Sequence, residues 1–85
     1  MRLDKYLKVS RIIKRRTVAN EACDGGRVSV NGKVAKASLE LKLGDVIALR
    51  LGGKTLTVRV VSLQEFAPKA QASALYELIS EEGQA

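Results

Sequence analysis

The sequence contains no histidine and a single cysteine, Cys23. One cysteine cannot close a disulfide within the chain, and without histidine it cannot build a zinc cluster. The absence of histidine also removes the side chain that most often serves as a general base near neutral pH. Cys23 lies on the apolar side of a short predicted helix, where a small core residue is expected rather than a nucleophile. We therefore expect a non-enzymatic protein with no catalytic residue, no metal site, no cofactor and no small-molecule substrate.

Long apolar runs are also missing. No apolar stretch approaches the roughly 20 residues of a membrane-spanning helix, and charges interrupt the N-terminus from Arg2 onward. A basic face that docks on lipid needs Trp, Phe or Leu wedges beside it, which the basic region lacks. We therefore expect no membrane partner. A lone cysteine is consistent with the reducing cytoplasm, which we predict as the location.

Negative charge is scarce in the first part of the chain. Of 85 residues, 15 are Lys or Arg and 9 are Asp or Glu, which gives a net charge of +6. Residues 1–36 carry ten basic residues and three acids, a net of +7, whereas residues 37–85 carry five basic residues and six acids, a net of −1. A surface charged only for solubility would spread the excess over the chain. The segregation favours a polyanionic partner, nucleic acid, over a merely solvated basic face.

The basic region also contains helix and turn signals. A basic run precedes Thr17, a good N-cap, and small apolar residues follow at helical spacing. Gly25-Gly26 is expected to end this helix, and Asn31-Gly32 predicts a tight hairpin turn because both residues tolerate positive φ. Cationic side chains around a helix start and around turns suit phosphate groups.

The first nine residues predict another short helix, and the middle of the chain predicts strands. Asp4 falls in the first turn of that helix, where it can either favour the helix dipole or fix a nearby arginine by a charge-assisted hydrogen bond. Strand patterns at residues 46–51 and 55–63 flank Gly52-Gly53, a hairpin signal. The predicted architecture is α+β, with two N-terminal helices and a small, mostly antiparallel sheet.

The last part of the chain predicts a closing helix. Pro68 precedes an alanine-rich segment that we expect to be helical over about residues 69–82. Its apolar face would consist of Ala72, Leu75, Leu78 and Ile79. We expect residues 1–66 to form the nucleic-acid-binding domain and residues 67–85 to form a C-terminal helix and tail packed on it.

Aromatic residues are few, namely Tyr6, Phe66 and Tyr76. Proteins that read single-stranded RNA stack its bases on exposed rings. Tyr6 is the one ring within the basic region, and its place beside Leu3 and Leu7 predicts a core position. We therefore expect recognition of folded RNA through phosphates, ribose hydroxyls and shape.

Several of these motifs occur together in an order that resembles the RNA-binding domain named after ribosomal protein S-four. The order comprises Arg2-Leu3-Asp4-Lys5, the basic run, Gly26-x-Val28-x-Val30-Asn31-Gly32, Lys36-x-Ser38 and Gly44-Asp45. The resemblance covers about residues 1–51 and implies an α+β fold of the S-four (αL) type. By motif it implies RNA-binding roles for Arg2, Asp4, Arg16, Asn31, Gly32 and Lys36. Charge geometry alone adds Lys5, Arg11, Lys14, Arg15, Arg27 and Lys33.

Within that superfamily the chain is most similar to a family of ribosome quality-control factors, which is related to a fifteen-kilodalton heat-shock protein. The resemblance implies a cytoplasmic monomer that binds stalled large ribosomal subunits carrying peptidyl-tRNA. It implies contacts with ribosomal RNA and tRNA, and support for a partner protein that adds C-terminal alanine tails to the nascent chain. Two alternatives stay open: a heat-shock-type recycling factor that repositions peptidyl-tRNA without tailing, and a regulatory module that binds an acidic protein partner.

Overall fold

The computed structural model describes residues 1–83, in which two helices pack on an antiparallel sheet. The helices are α1 (Leu3–Val9) and α2 (Arg16–Asp24). The strands are β1 (Val28–Val30), β2 (Lys33–Val34), β3 (Val46–Leu51), β4 (Lys54–Val60) and β5 (Tyr76–Gly83), and a 3₁₀ helix (Lys69–Leu75) precedes β5. The sheet order is β2-β1-β3-β4-β5, and every neighbouring pair is antiparallel. The predicted pair of N-terminal helices and the antiparallel sheet are confirmed.

The hairpin between β1 and β2 forms at the predicted turn. Val30 pairs with Lys33, so two residues make the loop. Asn31 and Gly32 both have positive φ, 53° and 86°. This combination matches the right-handed twist of the flanking strands and explains why an Asn-Gly pair occupies the turn.

Helix α2 begins earlier than the sequence predicts. Arg15 is its N-cap, and the Arg15 carbonyl already accepts a hydrogen bond from the Ala19 N–H (3.0 Å). The prediction of Thr17 as N-cap is therefore wrong. No side chain caps this helix, so its first N–H groups lack the usual Ser, Thr or Asp partner.

The core lies between the helices and one face of the sheet. Leu3, Tyr6 and Leu7 of α1 are fully buried. The Tyr6 hydroxyl donates a hydrogen bond to the Leu75 carbonyl (2.5 Å), which satisfies the polar end of the ring inside the protein. Cys23 is buried as well. The predictions that Tyr6 and Cys23 are core residues are confirmed.

The predicted C-terminal helix over residues 69–82 is wrong. Only Lys69–Leu75 coils, as a 3₁₀ helix, and Tyr76–Gly83 forms β5 along the edge of β4. Backbone groups at that edge need hydrogen-bond partners. Helix preference is a weak local tendency, and the ladder of bonds gained by pairing with β4 outweighs it.

The burial pattern shows where the helical prediction fails. Ala72 and Leu75 are buried, as expected for the predicted apolar face, and they pack the segment on the rest of the fold. Leu78 and Ile79 belong to the same predicted face but are 55% and 44% exposed. The predicted tail extends to residues 84 and 85, which lie outside the described residues.

Candidate nucleic-acid interface

A buried carboxylate, Asp4, lies at the centre of the N-terminal cations. Asp4 is 2% exposed. Its Oδ1 accepts hydrogen bonds from the Lys5 backbone N–H (2.8 Å) and from Arg2 Nε (3.2 Å). Its Oδ2 accepts from Arg2 Nη2, Arg16 Nε and Asn20 Nδ2, each at 3.4 Å. One carboxylate therefore ties the start of α1 to the first turns of α2.

The surroundings of Asp4 keep it ionised. Burial by itself raises the pKa of the carboxyl group. Hydrogen bonds from Asn20, the Lys5 backbone and Arg16, with the charge of Arg16, outweigh burial and hold the pKa below its ordinary value of 3.8. The structure shows both arrangements that the sequence allows for Asp4, because it lies in the first turn of α1 and its carboxylate fixes two arginines.

The two arginines held by Asp4 remain available to a ligand. The Arg2 and Arg16 side chains are 48% and 49% exposed. A guanidinium has five N–H donors, so each can contact Asp4 on one edge and present other donors to solvent. Asp4 was predicted as an RNA-binding residue, but its burial places it beneath the surface, where it orients the arginines.

The predicted basic run borders the start of α2. Arg15 is the N-cap, Arg16 is the first helical residue, and the first turn contains no acid. A helix N-terminus carries partial positive charge, so cations there do not stabilise the helix. They do combine with the free backbone N–H groups to attract an anion. The charge arrangement at this helix start therefore favours ligand binding over helix stability.

Four cations surround a cleft beside α1. The cleft has a volume of about 310 Å³, and residues 65–67 form part of its wall. Its cations are Lys5, Lys8, Arg11 and Arg16. Arg11 has a φ of 60°, in the left-handed region that a residue with a Cβ seldom adopts. Lys5 Nζ forms an ion pair with Glu65 Oε2 at 2.7 Å, which ties the wall to α1.

A wider groove contains the cations of the hairpin. It has a volume of about 660 Å³, and its polar lining includes Asn31, Lys33, Lys36, Lys42 and Asp45. The Asn31 side chain donates to Asp45 Oδ1 (3.1 Å) and accepts from the Val46 N–H (3.0 Å). The amide of Asn31 is thus engaged in holding the hairpin against β3.

The connector between β2 and β3 joins this groove to the two arginines. The Asp4 N–H donates to the Ala37 carbonyl (3.1 Å), and the Leu3 N–H donates to the Leu39 carbonyl (2.8 Å). Lys36, in the wall of the groove, is therefore adjacent to the start of α1. The groove is thus linked through the backbone to the start of α1, and Arg16 lines the cleft; we call the groove, the two arginines and the cleft together the basic surface. Its predicted cations are Arg2, Lys5, Arg11, Arg16, Lys33 and Lys36.

Other predicted residues lie outside this surface. Arg27 and Gly32 line a separate groove of about 300 Å³ with Arg50, on the side of the sheet away from the helices. Among the described residues, Lys14 and Arg15 belong to the lining of neither the cleft nor the wider groove. Both are exposed before α2.

Sequence reasoning missed four residues of the basic surface: Lys8, Asn20, Lys42 and Phe66. Lys8 continues the three-residue step of cations along α1, and Asn20 lies one turn after Arg16, so helical spacing could have indicated both. Phe66 lies far along the chain from the cations that it accompanies, and no local signal places it there.

The thiol of Cys23 is buried and unreactive. Burial, with the charges of Asp4 and Asp24, raises the pKa of the Cys23 thiol to about 11, so the thiol stays protonated at neutral pH.

Within residues 1–83, no three His, Cys, Asp or Glu side chains converge as metal ligands. Over the same range, the helices lack the length and apolar composition of a membrane span.

An S4 domain family model matches residues 1–47, which include α1, α2 and the hairpin. The solved structure of heat shock protein 15 from Vibrio cholerae, described as trimeric, superposes with a TM-score of 0.88 at 32% identity, covering 94% of this chain and 82% of that one. The basic surface is thus built on an S4 domain, and the predicted S-four fold is confirmed apart from its C-terminal helix.

Sequence comparison shows which family of S4 domain proteins the chain resembles. The chain is 56% identical over 81 residues to an RQC P-site tRNA stabilizing factor of Streptococcus pneumoniae, covering 95% of this chain and 92% of that protein. It is 38% identical over 82 residues to heat shock protein 15 of Escherichia coli, covering 95% of this chain and 62% of that protein. The chain therefore belongs to the S4 domain family and, within it, to the family of RQC P-site tRNA stabilizing factors.

Proposed function

We propose that this protein is a non-enzymatic RNA-binding factor of ribosome quality control. In the cytoplasm it binds stalled large ribosomal subunits that carry peptidyl-tRNA, and its basic surface contacts both ribosomal RNA and the tRNA. A partner protein then adds C-terminal alanine tails to the nascent chain while the tRNA is held. The name of the Streptococcus pneumoniae relative, a factor that stabilises P-site tRNA, supports this proposal.

One observation carries the proposal: a buried, ionised Asp4 holds two half-exposed arginines at the junction of α1 and α2. Mobile surface cations would attract any polyanion, but fixed guanidinium groups present donors in a set geometry that matches phosphate oxygens. Fixing Arg2 and Arg16 before binding also reduces the side-chain entropy lost in the complex. This arrangement suits recognition of a folded RNA by shape.

The proposed mechanism is positional. Phosphate contacts on different parts of the basic surface hold one RNA against another, and the protein makes or breaks no covalent bond. The wider groove, with Lys33 and Lys36, and the cleft, with Lys5, Arg11 and Arg16, offer two contact regions. Two contact regions on a single small protein are what bridging of ribosomal RNA and tRNA requires.

The test compares Arg16→Gln with a matched control, Arg59→Gln. The two arginine side chains are 49% and 48% exposed, and each contacts a carboxylate, at 3.4 and 3.3 Å. Arg59 lies on β4 and belongs to the lining of neither the wider groove nor the cleft. We expect R16Q to weaken binding to large subunits carrying peptidyl-tRNA by roughly tenfold to 100-fold, because it removes charge-assisted contacts. R16Q should also lower the slope of log K against log salt by about one, with R59Q unchanged in both respects.

Equal behaviour of R16Q and R59Q would overturn the assignment of the basic surface. Urea unfolding of both variants should show that each is folded under the conditions of the binding assay. The tRNA contact has its own measurement, because large subunits stripped of peptidyl-tRNA should bind the parent protein more weakly than loaded subunits do.

The tailing role needs a separate experiment. We expect tails to shorten when the protein is left out of a reconstituted mixture of loaded large subunits and the alanine-tailing partner. Adding R16Q should restore less tailing than adding R59Q. Tails of normal length without the protein would contradict this part of the proposal.

A recycling role of the heat-shock type is the second candidate, favoured by the TM-score of 0.88 to heat shock protein 15. In this alternative the protein repositions peptidyl-tRNA without a tailing partner. Sedimentation of ribosomal fractions from cells separates the two candidates. Recovery of the tailing partner together with the protein supports the first, and its consistent absence supports the second.

A further inference from the structure

Phe66 is the most exposed large apolar side chain recorded for residues 1–83, at 79%. The residues on both sides of it contact the rest of the protein. Glu65 forms the ion pair with Lys5 at 2.7 Å, and Ala67 is buried at 5% exposed. A ring this exposed to water gains nothing from burial in the folded protein. The ring is therefore open to a ligand with a flat apolar face, and its surroundings decide whether one fits.

The chemistry around the ring identifies that ligand. Phe66 lines the same cleft of about 310 Å³ as four cations, whereas Glu65 is the acid in that lining. A ligand that suits this cleft combines a planar face with negative charge. A nucleotide has both, in its base and its phosphate. The cleft shares Arg16 with the rest of the basic surface, which favours RNA over an acidic peptide as the source of the nucleotide.

We infer that this cleft binds one unpaired RNA nucleotide, with its base stacked on the Phe66 ring and its phosphate among the cations of α1 and the following loop. The inference rests on the proposed function and deepens it, because it adds a single-stranded contact to the recognition of folded RNA. Lys8 and Arg11 are exposed beside the ring and are the phosphate partners. The Lys5–Glu65 pair holds the ring in place.

The sequence offers a direct reporter, because it contains no tryptophan. Phe66→Trp keeps an aromatic face and introduces a single indole whose fluorescence is quenched when a base stacks on it. The probe is a four-nucleotide RNA of mixed sequence, since stacking tolerates any base. Its control is a tetramer with the same phosphates and riboses but no bases. We expect saturable quenching by the first RNA and none by the second. No quenching, or equal quenching by both, overturns the inference.

A second arm compares the parent chain with the variants Phe66→Leu and Phe66→Ala. The probes are a blunt RNA hairpin and the same hairpin with a four-nucleotide single-stranded end. Loss of one stacked base should weaken binding of the tailed hairpin by roughly fivefold to 150-fold in both variants. Binding of the blunt hairpin should stay unchanged. Leucine keeps apolar bulk without the ring, so parent-like binding of the tailed hairpin by F66L would overturn stacking.

The two arms separate failure of this inference from failure of the proposed function. If the blunt hairpin binds with the expected salt dependence and the single-stranded end adds nothing, the inference fails and the proposed function stands. If the tetramer quenches F66W but R16Q binds large subunits as the parent does, the cleft is a nucleotide site and the proposed surface is wrong. Far-UV circular dichroism of each variant confirms that the exposed position tolerates substitution.

Discussion

Replacing Asp4 by asparagine separates the charge of the basic surface from its geometry. D4N keeps the size of the side chain and raises the net charge from +6 to +7. If binding depends on charge alone, the variant binds RNA more tightly. If binding depends on fixed arginines, the variant binds more weakly, because an amide N–H₂ now faces the donors of Arg2, Arg16 and Asn20. The two explanations predict changes of opposite sign.

The size of the effect on binding follows from the number of side chains released. Each rotamer-rich side chain that must be immobilised in the complex costs about 0.5–1.5 kcal/mol. Arg2 and Arg16 together therefore cost about 1–3 kcal/mol, which is roughly fivefold to 150-fold in Kd. The slope of log K against log salt should stay close to that of the parent, because both arginines remain in the chain.

D4N should also lower the stability of the fold. The short bond from the Lys5 N–H (2.8 Å) changes from charge-assisted to neutral, a loss of about 1 kcal/mol. The contacts to Arg2, Arg16 and Asn20 are longer, at 3.2–3.4 Å, and add about 1 kcal/mol more. A total of about 2 kcal/mol lowers the Tm of a domain this small by roughly 8–16 °C. Binding is therefore measured at 25 °C or below.

The matched control is Glu77→Gln. It raises the net charge by the same amount and releases Arg59, which contacts Glu77 at 3.3 Å between β4 and β5. We expect E77Q to bind large subunits as tightly as the parent or slightly more tightly. Should folded D4N bind as tightly as E77Q, the positioning role of Asp4 is refuted.

Three further outcomes follow from the same contacts. Because the pKa of Asp4 is depressed in the folded protein, the carboxylate stabilises the fold above its ordinary pKa of about 4. This contribution is lost as the pH falls toward the folded-state pKa. The free energy of unfolding of D4N should therefore fall less steeply with decreasing pH than that of the parent. Tyr6→Phe should lower the free energy of unfolding by only about 1 kcal/mol, because the Leu75 carbonyl also accepts two backbone N–H bonds. RNA affinity should not change. Unfolding and binding titrations measure the two quantities. Glu65→Gln removes the acid from the cleft and frees Lys5, so it should tighten binding of the blunt RNA hairpin, whose binding does not depend on the Phe66 ring, more at low salt than at high salt; weaker binding of that hairpin at every salt concentration would contradict this expectation.

The features that could be predicted from the sequence depend on local requirements. The turn at Asn31 and Gly32 needs positive φ at two successive residues, which few residue pairs supply. The burial of Tyr6 and Cys23 follows from helical spacing alone. The excess of cations before residue 37 is a property of composition and needs no fold to be seen.

The features that could not be predicted depend on contacts between distant parts of the chain. Strand β5 exists because β4 offers it an edge, while its own sequence also fits a helix. Phe66 lies near the cations of α1, and its neighbour Glu65 forms an ion pair with Lys5, which is 60 residues away in sequence. A pairing over that separation leaves no period or turn signal to read.

Two groups among the cations of the basic surface act differently. Arg2 and Arg16 are tied to a buried carboxylate, so they present fixed donors and make binding depend on the shape of the RNA. Among the described residues, Arg11, Lys33 and Lys36 form no ion pair, so they supply attraction that any polyanion feels. A buried acid beneath a basic surface lowers its net charge, which is useful only where geometry matters more than attraction. Its presence at this position therefore argues for a partner with a defined fold.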